Sequence, residues 1–173
     1  IGKQETLHFA QPHRHSIAIN QVIGTSKSLI EGILSSNGKV AVINPHGIHI
    51  NAGALVETAG FIASTASFNL DQGHLLFKDP GTGEIIHEGT IRCADGDIIF
   101  VANHIDHSGV SEGANVHLLS GQEVLIKPAG KKRIYIQSKD WNERESSYKT
   151  AIRHNGQITA YGFKEEAGKV FLV

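Results

Sequence analysis

Histidine is the residue type whose number and spacing most suggest chemistry in this sequence, with eleven in 173 residues. Neutral imidazoles are common ligands for zinc and other transition metals. Three short groups place histidines close together in the chain, at His13–His15, His46–His49 and His104–His107. None of them supplies a complete tetrahedral ligand set, so the sequence does not predict a metal site. If a metal were bound, His87 and His107 would be the candidate ligands, because they occupy equivalent positions of a repeated phrase.

Two carboxylates and one thiol are the other groups with catalytic potential. Asp95 and Asp97 are separated by one glycine, and paired carboxylates are what glycoside cleavage requires. Asp97, however, takes the same place in a glycine-turn phrase as Lys39 and Lys169, which indicates a generic polar turn position. Cys93 is the single cysteine, so it cannot form an internal disulfide, and no signature of a catalytic nucleophile surrounds it. We therefore expect no enzymatic activity and no cofactor.

The composition favours one strand-rich domain covering residues 1–173. A chain of this length fits a single domain, in which isoleucine and valine outnumber leucine and 19 glycines supply tight turns. The net charge of −1 provides no basic field for nucleic acid or an anionic membrane, so we expect neither partner. No apolar run reaches the ~18 residues of a membrane-spanning helix. We expect a monomer and, because the chain begins at Ile1, a processed product or a piece of a longer protein.

A short repeated phrase predicts a solenoid built from strands. The phrase is an aliphatic residue, three variable residues, a glycine and, soon after it, another aliphatic residue. It occurs at Val56–Gly60, Ile85–Gly89, Ile105–Gly109 and Ile152–Gly156. The glycine spacing indicates a rung of about 20 residues with insertions, and the last interval is interpreted as two rungs. Short parallel strands stacked in this way form a β-helix, in which each rung buries its inward side chains against the next.

The same alignment makes predictions about particular positions of the coil. Residues before about 25 lack the phrase and are predicted to form an N-terminal β cap, leaving residues 26–173 as the β-helix. The stretch from Leu70 to Glu84 is predicted to be an extrahelical hairpin that turns at Asp79–Gly83. Two positions into the phrase lie Thr58, His87, His107 and His154, which predicts a solvated polar ladder on one side of the coil.

Several motifs occur together in an order typical of one family of exported proteins. They are Asn44-Pro45-His46-Gly47, the phrase Gly60–Thr65 (GFIAST) and the phrase Glu88–Ile91 (EGTI). In this order they closely resemble the N-terminal secretion domain of filamentous-haemagglutinin-type exoproteins, the secreted partners of bacterial two-partner secretion (TPS) systems. The resemblance covers most of the chain. This chain departs from the family in having His46 where NPNG is usual, in lacking a second NPNL motif and in being short.

The resemblance implies a right-handed parallel β-helix that is exported through the periplasm to the cell surface or medium of a Gram-negative bacterium. It also implies a partner, an outer-membrane β-barrel transporter that recognises the domain through its periplasmic POTRA domains. An extended segment of the domain would add to a sheet edge of the transporter, and Ile17–Ile19 and Val40–Val42 are the candidates. The rest of the exoprotein would serve adhesion, cytolysis, haem capture or toxin delivery, with a possible host-surface ligand.

The segment Asn44–Gly47 also has a local explanation. Asparagine, proline and glycine at its first, second and fourth positions fit a type I turn. We expect Asn44, Pro45, His46 and Gly47 to be a secretion determinant that acts mainly through correct folding of this turn. Two other functions stay open, a β-helix module that binds or cleaves polysaccharide and an adhesin whose domain itself touches a host ligand. The first is weakened by a thin supply of aromatic residues for stacking on sugars, seven Phe, three Tyr and one Trp.

Overall fold

In the computed structural model, every regular element among the described residues is a β-strand. The structure describes residues 1–71, 74–121, 123–129, 133–139, 151–160, 163–166 and 169–172. The described ranges contain no helix. In these ranges there is accordingly no helix of the length and apolarity needed to cross a membrane.

Three faces of parallel strands form the coil, with strands numbered in chain order. The first face contains β1 (Thr6–Phe9), β4 (Ile33–Ser36), β7 (Leu55–Glu57), the first halves of β12 (Thr90–Val101) and β14 (Val110–Leu119), and β18 (Gln157–Ala160). The second face contains β2 (Ile17–Gln21), β5 (Lys39–Ile43), β8 (Gly60–Ser64) and the second halves of β12 and β14. The third face contains β3 (Ser28–Ile30), β6 (Ile48–Ile50), β11 (Ile85–His87), β13 (Ile105–His107) and β17 (Ile152–His154). One circuit of the three faces is one rung, so the expected parallel β-helix is confirmed.

Six further strands of the described residues belong to separate antiparallel sheets rather than to the three parallel faces. Four of them form an extrahelical sheet in the order β16-β15-β10-β9, with bounds β9 (Ala66–Asp71), β10 (His74–Pro80), β15 (Glu123–Ala129) and β16 (Arg133–Lys139). The remaining pair is β19 (Phe163–Glu166) and β20 (Lys169–Leu172). The glycine-turn phrase that contains Lys169 is therefore not a rung, whereas the phrases of Lys39 and Asp97 both lie on the second face, one on each side of β8.

The third face shows the repeat directly. Ile48, Ile85, Ile105 and Ile152 follow one another in a single column of paired residues. Both Ser28 to Ile48 and Ile85 to Ile105 are steps of 20 residues, which confirms the predicted rung. The interpretation of the last interval as two rungs is wrong, since Ile105 pairs directly with Ile152 and the added length leaves the coil as β15 and β16.

The phrase at Val56–Gly60 does not share this column. That segment begins on the first face, and the residue in register with His87 is Ile50 rather than the predicted Thr58. The cause is that Gly60 begins β8 at the corner between the first and second faces, whereas Gly89 and Gly109 precede β12 and β14 at the corner between the third and first faces. Spacing between glycines therefore misplaced this one rung, because it aligned two different corners of the coil.

The extrahelical hairpin is present, but its turn is not at Asp79–Gly83. The chain reverses between Asp71 and His74, which pair at the ends of β9 and β10. The segment Asp79–Gly83 is instead the corner that returns the chain to the coil, because two of its glycine amides donate to the carbonyls of Thr65 and Pro45 (2.9 and 3.0 Å). A run rich in proline and glycine suits either kind of turn, and pairing of the two strands decides which one forms.

Apolar side chains fill two separate cores. Inside the coil, residues stacked from rung to rung are fully buried, as in the column Val40, Phe61 and Ile98. The second core lies between the outer side of the second face and the extrahelical sheet. It contains Ala41, Ile43, Ile62, Phe77, Ile99, Val101, Val124 and Ile126. The extrahelical sheet thus covers an outer surface of the coil that would otherwise expose aliphatic side chains to water.

The first 25 residues form an N-terminal rung. β1 pairs in parallel with β4 and β2 pairs in parallel with β5, so this cap continues two faces of the coil. The amino group of Ile1 donates to the carbonyl oxygen of Leu29 (2.9 Å) and fastens the start of the chain to β3. Among the described strands β2 has a neighbour on one side only, and its Ile17 and Ile19 are each 39% exposed.

Candidate functional site

The first residue of the NPHG segment is a buried structural amide. Asn44 follows β5 and is 0% exposed. Its Nδ2 donates to the carbonyl oxygen of Ser26 (3.0 Å) and to Ser28 Oγ (2.9 Å), and its Oδ1 accepts from the amide of His46 (2.9 Å). The backbone amide of Asn44 donates to the carbonyl of Ser64 on the following rung (2.9 Å). Asn44 therefore joins three successive rungs at one corner of the coil.

Gly47 closes the turn in a conformation that favours glycine. Its φ is 112°, and its amide donates to the carbonyl oxygen of Asn44 (3.0 Å), as the pattern of asparagine, proline and glycine predicts. A Cβ atom at this position would lie 3.1 Å from the carbonyl oxygen of Glu84. A β-branched side chain would add to the backbone strain, so this corner depends on glycine.

The turn packs against the segment that returns from the extrahelical hairpin. The amide of Gly83 donates to the carbonyl oxygen of Pro45 (3.0 Å). A Cβ on Gly83 would clash with the backbone of Gly47, and one on Gly81 would clash with the carbonyl of Pro45. The NPHG corner and the base of the hairpin are therefore in backbone contact, which requires the two returning glycines.

His46 is the one exposed side chain of the four motif residues. Asn44 and Gly47 are buried, and Pro45 is half-buried. The imidazole lines a shallow cleft of about 250 Å³ together with Lys27, His49, Thr82 and Glu84. Because His46 contributes its backbone amide to the turn, a different side chain here leaves the hydrogen bonds of the corner intact. The departure from NPNG therefore changes the exposed surface of the motif and leaves its hydrogen bonds unchanged.

Three histidines form a column inside the coil. His87, His107 and His154 are in register on β11, β13 and β17, with ring centroids 4.8 Å apart at both steps. The predicted register of these three residues is confirmed. The prediction of a solvated ladder is wrong, because alternate residues of a strand share a face and His107 lies on the same inward side as the buried Ile105. Only the outermost ring of the column, His154, is exposed.

Neutral partners surround the ring nitrogens of this column. His87 Nε2 donates to the carbonyl oxygen of Val110 (3.2 Å), and His107 Nε2 is bonded to Ser111 Oγ (2.9 Å). Burial, followed by the charge of the adjacent ring, lowers the pKa of His87 to about 3 and that of His107 to about 4. Both rings are therefore neutral at pH 7. The described residues contain no group of three or more His, Cys, Asp or Glu side chains placed to hold a metal ion.

Of the two carboxylates, Asp95 lines a groove of about 550 Å³ at the corner between the first and second faces. Asp95 forms an ion pair with Arg14 (3.0 Å), whereas Asp97 accepts a hydrogen bond from Asn115 Nδ2 (2.6 Å). No aromatic side chain of the described residues lines this groove. Cys93 is buried, and burial raises the pKa of its thiol to about 11.

The fold and the corner together define the class of protein. A parallel β-helix that carries an Asn-Pro-x-Gly corner beneath an extrahelical sheet has the architecture of an exoprotein secretion domain. The chain belongs to the TPS secretion domain family, whose profile matches residues 1–172. The secretion domain of HMW1 from Haemophilus influenzae has a crystal structure that superposes with a TM-score of 0.68 at 29% identity, over 78% of this chain and 39% of that one.

Two curated relatives carry the name haem/hemopexin-binding protein, both from Haemophilus influenzae. One is 45% identical over 65 residues, which is 38% of this chain and 7% of that protein. The other, from strain Rd, is 33% identical over 97 residues, which is 53% of this chain and 11% of that protein. The chain thus spans about a tenth of the length of these relatives.

Sequence reasoning found the corner but missed most of the residues that hold it. Ser26 and Ser28, which bind the Asn44 amide, had no signal because their role depends on a contact with the next rung. Gly81 and Gly83 were visible as turn residues, but their contact with Pro45 was not. The sequence signal available for that contact was the position of these two glycines shortly before β11, a strand of the repeat.

Proposed function

We propose that this domain directs the export of a longer exoprotein by engaging the POTRA domains of a cognate outer-membrane transporter. The observation that carries the proposal is membership of the TPS secretion domain family over residues 1–172, because such domains work with a dedicated transporter. The domain would cross the periplasm before it is fully folded and complete its coil at the cell surface or in the medium. Parallel pairing of successive rungs supports this order, since each rung is a template for the next.

The exposed strand β2 is the proposed contact with the transporter. Ile17–Ile19 lies in β2, so its backbone groups on one side are open to an added strand even in the folded domain. The half-exposed side chains of both isoleucines offer an apolar surface to the same partner. Val40–Val42 lies in β5, which is paired with β2 and β8, so it is available only before folding. The free edge therefore favours β2 over β5 for β-augmentation.

The NPHG corner is proposed to act on export through folding. The side chain of Asn44 is enclosed and fully hydrogen-bonded, so in the folded domain it offers no surface to a partner. Its position supports a structural role, because it joins the first three rungs at the corner where the extrahelical hairpin begins. A chain that fails to form this corner would fail to drive its own translocation by folding.

The activity of the whole exoprotein is proposed to lie outside this domain. The matched region is about a tenth of the haem/hemopexin-binding proteins, and the HMW1 secretion domain shares the same fold. The same kind of secretion domain thus occurs in exoproteins that carry different names. We propose that the longer protein acts in adhesion, cytolysis, toxin delivery or capture of a host ligand such as haem or hemopexin.

Co-expression with the transporter tests the proposal in a Gram-negative host. We expect the wild-type domain in the medium only when the transporter is present. Asn44→Ala and Gly47→Val should accumulate in the periplasm and show lowered stability when purified. His46→Asn, which restores the usual family residue, is the matched control and should be exported like the wild type, as should His46→Ala.

Two results would contradict the proposal. Export of the wild type without any transporter would remove the two-partner mechanism. Failed export of His46→Ala with unchanged stability would show that the motif is a docking surface, and the role through folding would then be wrong.

A further inference from the structure

We propose that the buried histidine column is an acid-sensitive latch, which lets the C-terminal rungs open below about pH 6 while the N-terminal rungs stay folded. The column consists of His87, His107 and His154 on β11, β13 and β17. This property is independent of any transporter, since it follows from how three rungs are held together.

The geometry of the column disfavours positive charge on neighbouring rings. His107 Nδ1 and His154 Nδ1 are 3.1 Å apart, a distance that requires one ring to donate and the other to accept. Protonation of both rings places two N–H groups against each other and breaks this bond. His87 Nδ1 is buried without a hydrogen-bond partner among the described residues, so an added proton there would have no acceptor. Rings with centroids 4.8 Å apart would also repel each other when charged.

The surroundings of the column provide little compensation for added charge. The groups that β6, β12 and β14 present to it are neutral: Ile50, Phe100, Val110 and Ser111. Cys93, in the same core, has a thiol, which is uncharged in acid and adds no negative charge beside the column. The nearby carboxylate is that of Asp106, which lies between the inward residues of β13 and is engaged by Arg153. Asp106 opposes the fall in the pKa of His107 but does not outweigh burial.

The latch is confined to one end of the coil. In β3 and β6 the equivalent positions are Ile30 and Ile50, so the first two rungs have no titratable group in the column. His117, whose pKa burial also lowers, is in register with Ile99 on the second face and is not part of the column. Acid should therefore act first on the contacts among β11, β13 and β17.

The direction of the pH effect follows from the lowered pKa values of His87 and His107. In the unfolded chain these imidazoles titrate near 6.5, whereas in the folded chain they stay neutral to about 3 and 4. Stability from the column is fully present above pH 6.5 and is lost as the pH falls through that value. At pH 5 each buried imidazole should favour the open state by about 30-fold relative to pH 7.5.

Hydrogen exchange followed by mass spectrometry tests the latch on the purified chain. After correction for the intrinsic exchange rate, protection of β13 and β17 should fall by about 30-fold or more between pH 7.5 and pH 5, while β5 and β8 change little. His107→Gln, which is neutral at every pH and keeps a donor for Ser111, should remove much of this fall. The matched controls His15→Gln, at an exposed position, and His117→Gln should behave at β13 and β17 like the wild type.

Histidine NMR titration of the wild type provides a second measurement that needs no variant. The resonances of His87 and His107 should stay those of neutral rings until the C-terminal strands lose protection. Titration of either ring near pH 6.5 in a domain that keeps its protection would overturn the proposal. Equal loss of protection in all rungs, or a response of His15→Gln equal to that of His107→Gln, would also overturn it.

Discussion

Removing the Phe77 side chain should show whether the extrahelical sheet is part of the cooperative fold. Phe77 of β10 is 1% exposed and packs against the outer side of the second face. Truncation of a buried phenylalanine to alanine costs about 3–5 kcal/mol. The ring also forms a tilted pair with Phe68 at 5.7 Å, a contact of the kind worth about 0.5–1.5 kcal/mol. Because Phe68 is only partly buried and keeps other neighbours, we expect Phe77→Ala to lower the free energy of unfolding by about 4 kcal/mol.

Urea denaturation followed by far-ultraviolet circular dichroism measures this change. If the sheet and the coil unfold together, the midpoint should fall while the slope m stays constant. Leu76→Ala is the matched control, since Leu76 is half-buried on the other side of the same strand and should cost about 1 kcal/mol. A loss below about 1 kcal/mol for Phe77→Ala, or a separate early transition, would refute the reasoning and show that the sheet is an independent attachment.

Two further predictions concern the hairpin base and the buried thiol. Gly83→Ala should lower the free energy of unfolding by about 2 kcal/mol or more, because its Cβ would meet the backbone of Gly47, whereas Gly24→Ala, in open space, should change it by less than about 0.5 kcal/mol. Equal melting temperatures for the two variants would contradict the proposed contact. The Cys93 thiol should resist an aromatic disulfide reagent at pH 8 in the folded domain and react fully in urea, since it is buried with a raised pKa. Rapid labelling without denaturant would show that this part of the core opens.

The architecture was predictable from the sequence where local pattern and tertiary pairing agree. His87 and His107 could be aligned because both follow an isoleucine by two residues, and their rungs join without an insertion. Thr58 was misplaced because the glycine that follows it, Gly60, stands at a different corner of the coil from Gly89 and Gly109. The turn of the hairpin was misplaced for a different reason, since Asp79–Gly83 has the composition of any tight turn.

The role of the NPHG residues was only partly predictable. The turn itself follows from the order of asparagine, proline and glycine, and the bond from Gly47 to Asn44 confirms it. That the Asn44 amide faces inward could not be read from the segment, because its partners lie on the preceding rung. The inward direction of His87 and His107 was predictable in principle, since each lies two residues after a buried isoleucine on the same strand. The prediction placed them at the surface instead because histidine is polar.

The extrahelical sheet joins strands that are distant in the chain, which affects when it forms during folding. Its central strands β10 and β15 leave from different rungs, and the pair Leu75 and Ile126 joins positions 51 residues apart. In the native structure, the chain between these two residues passes about twice around the coil as β11 to β14, and the pair forms after this segment. Closing so long a loop is slow compared with adding a neighbouring strand. We therefore expect the sheet to complete late, after the first four rungs and the two faces that β14 contributes to the fifth.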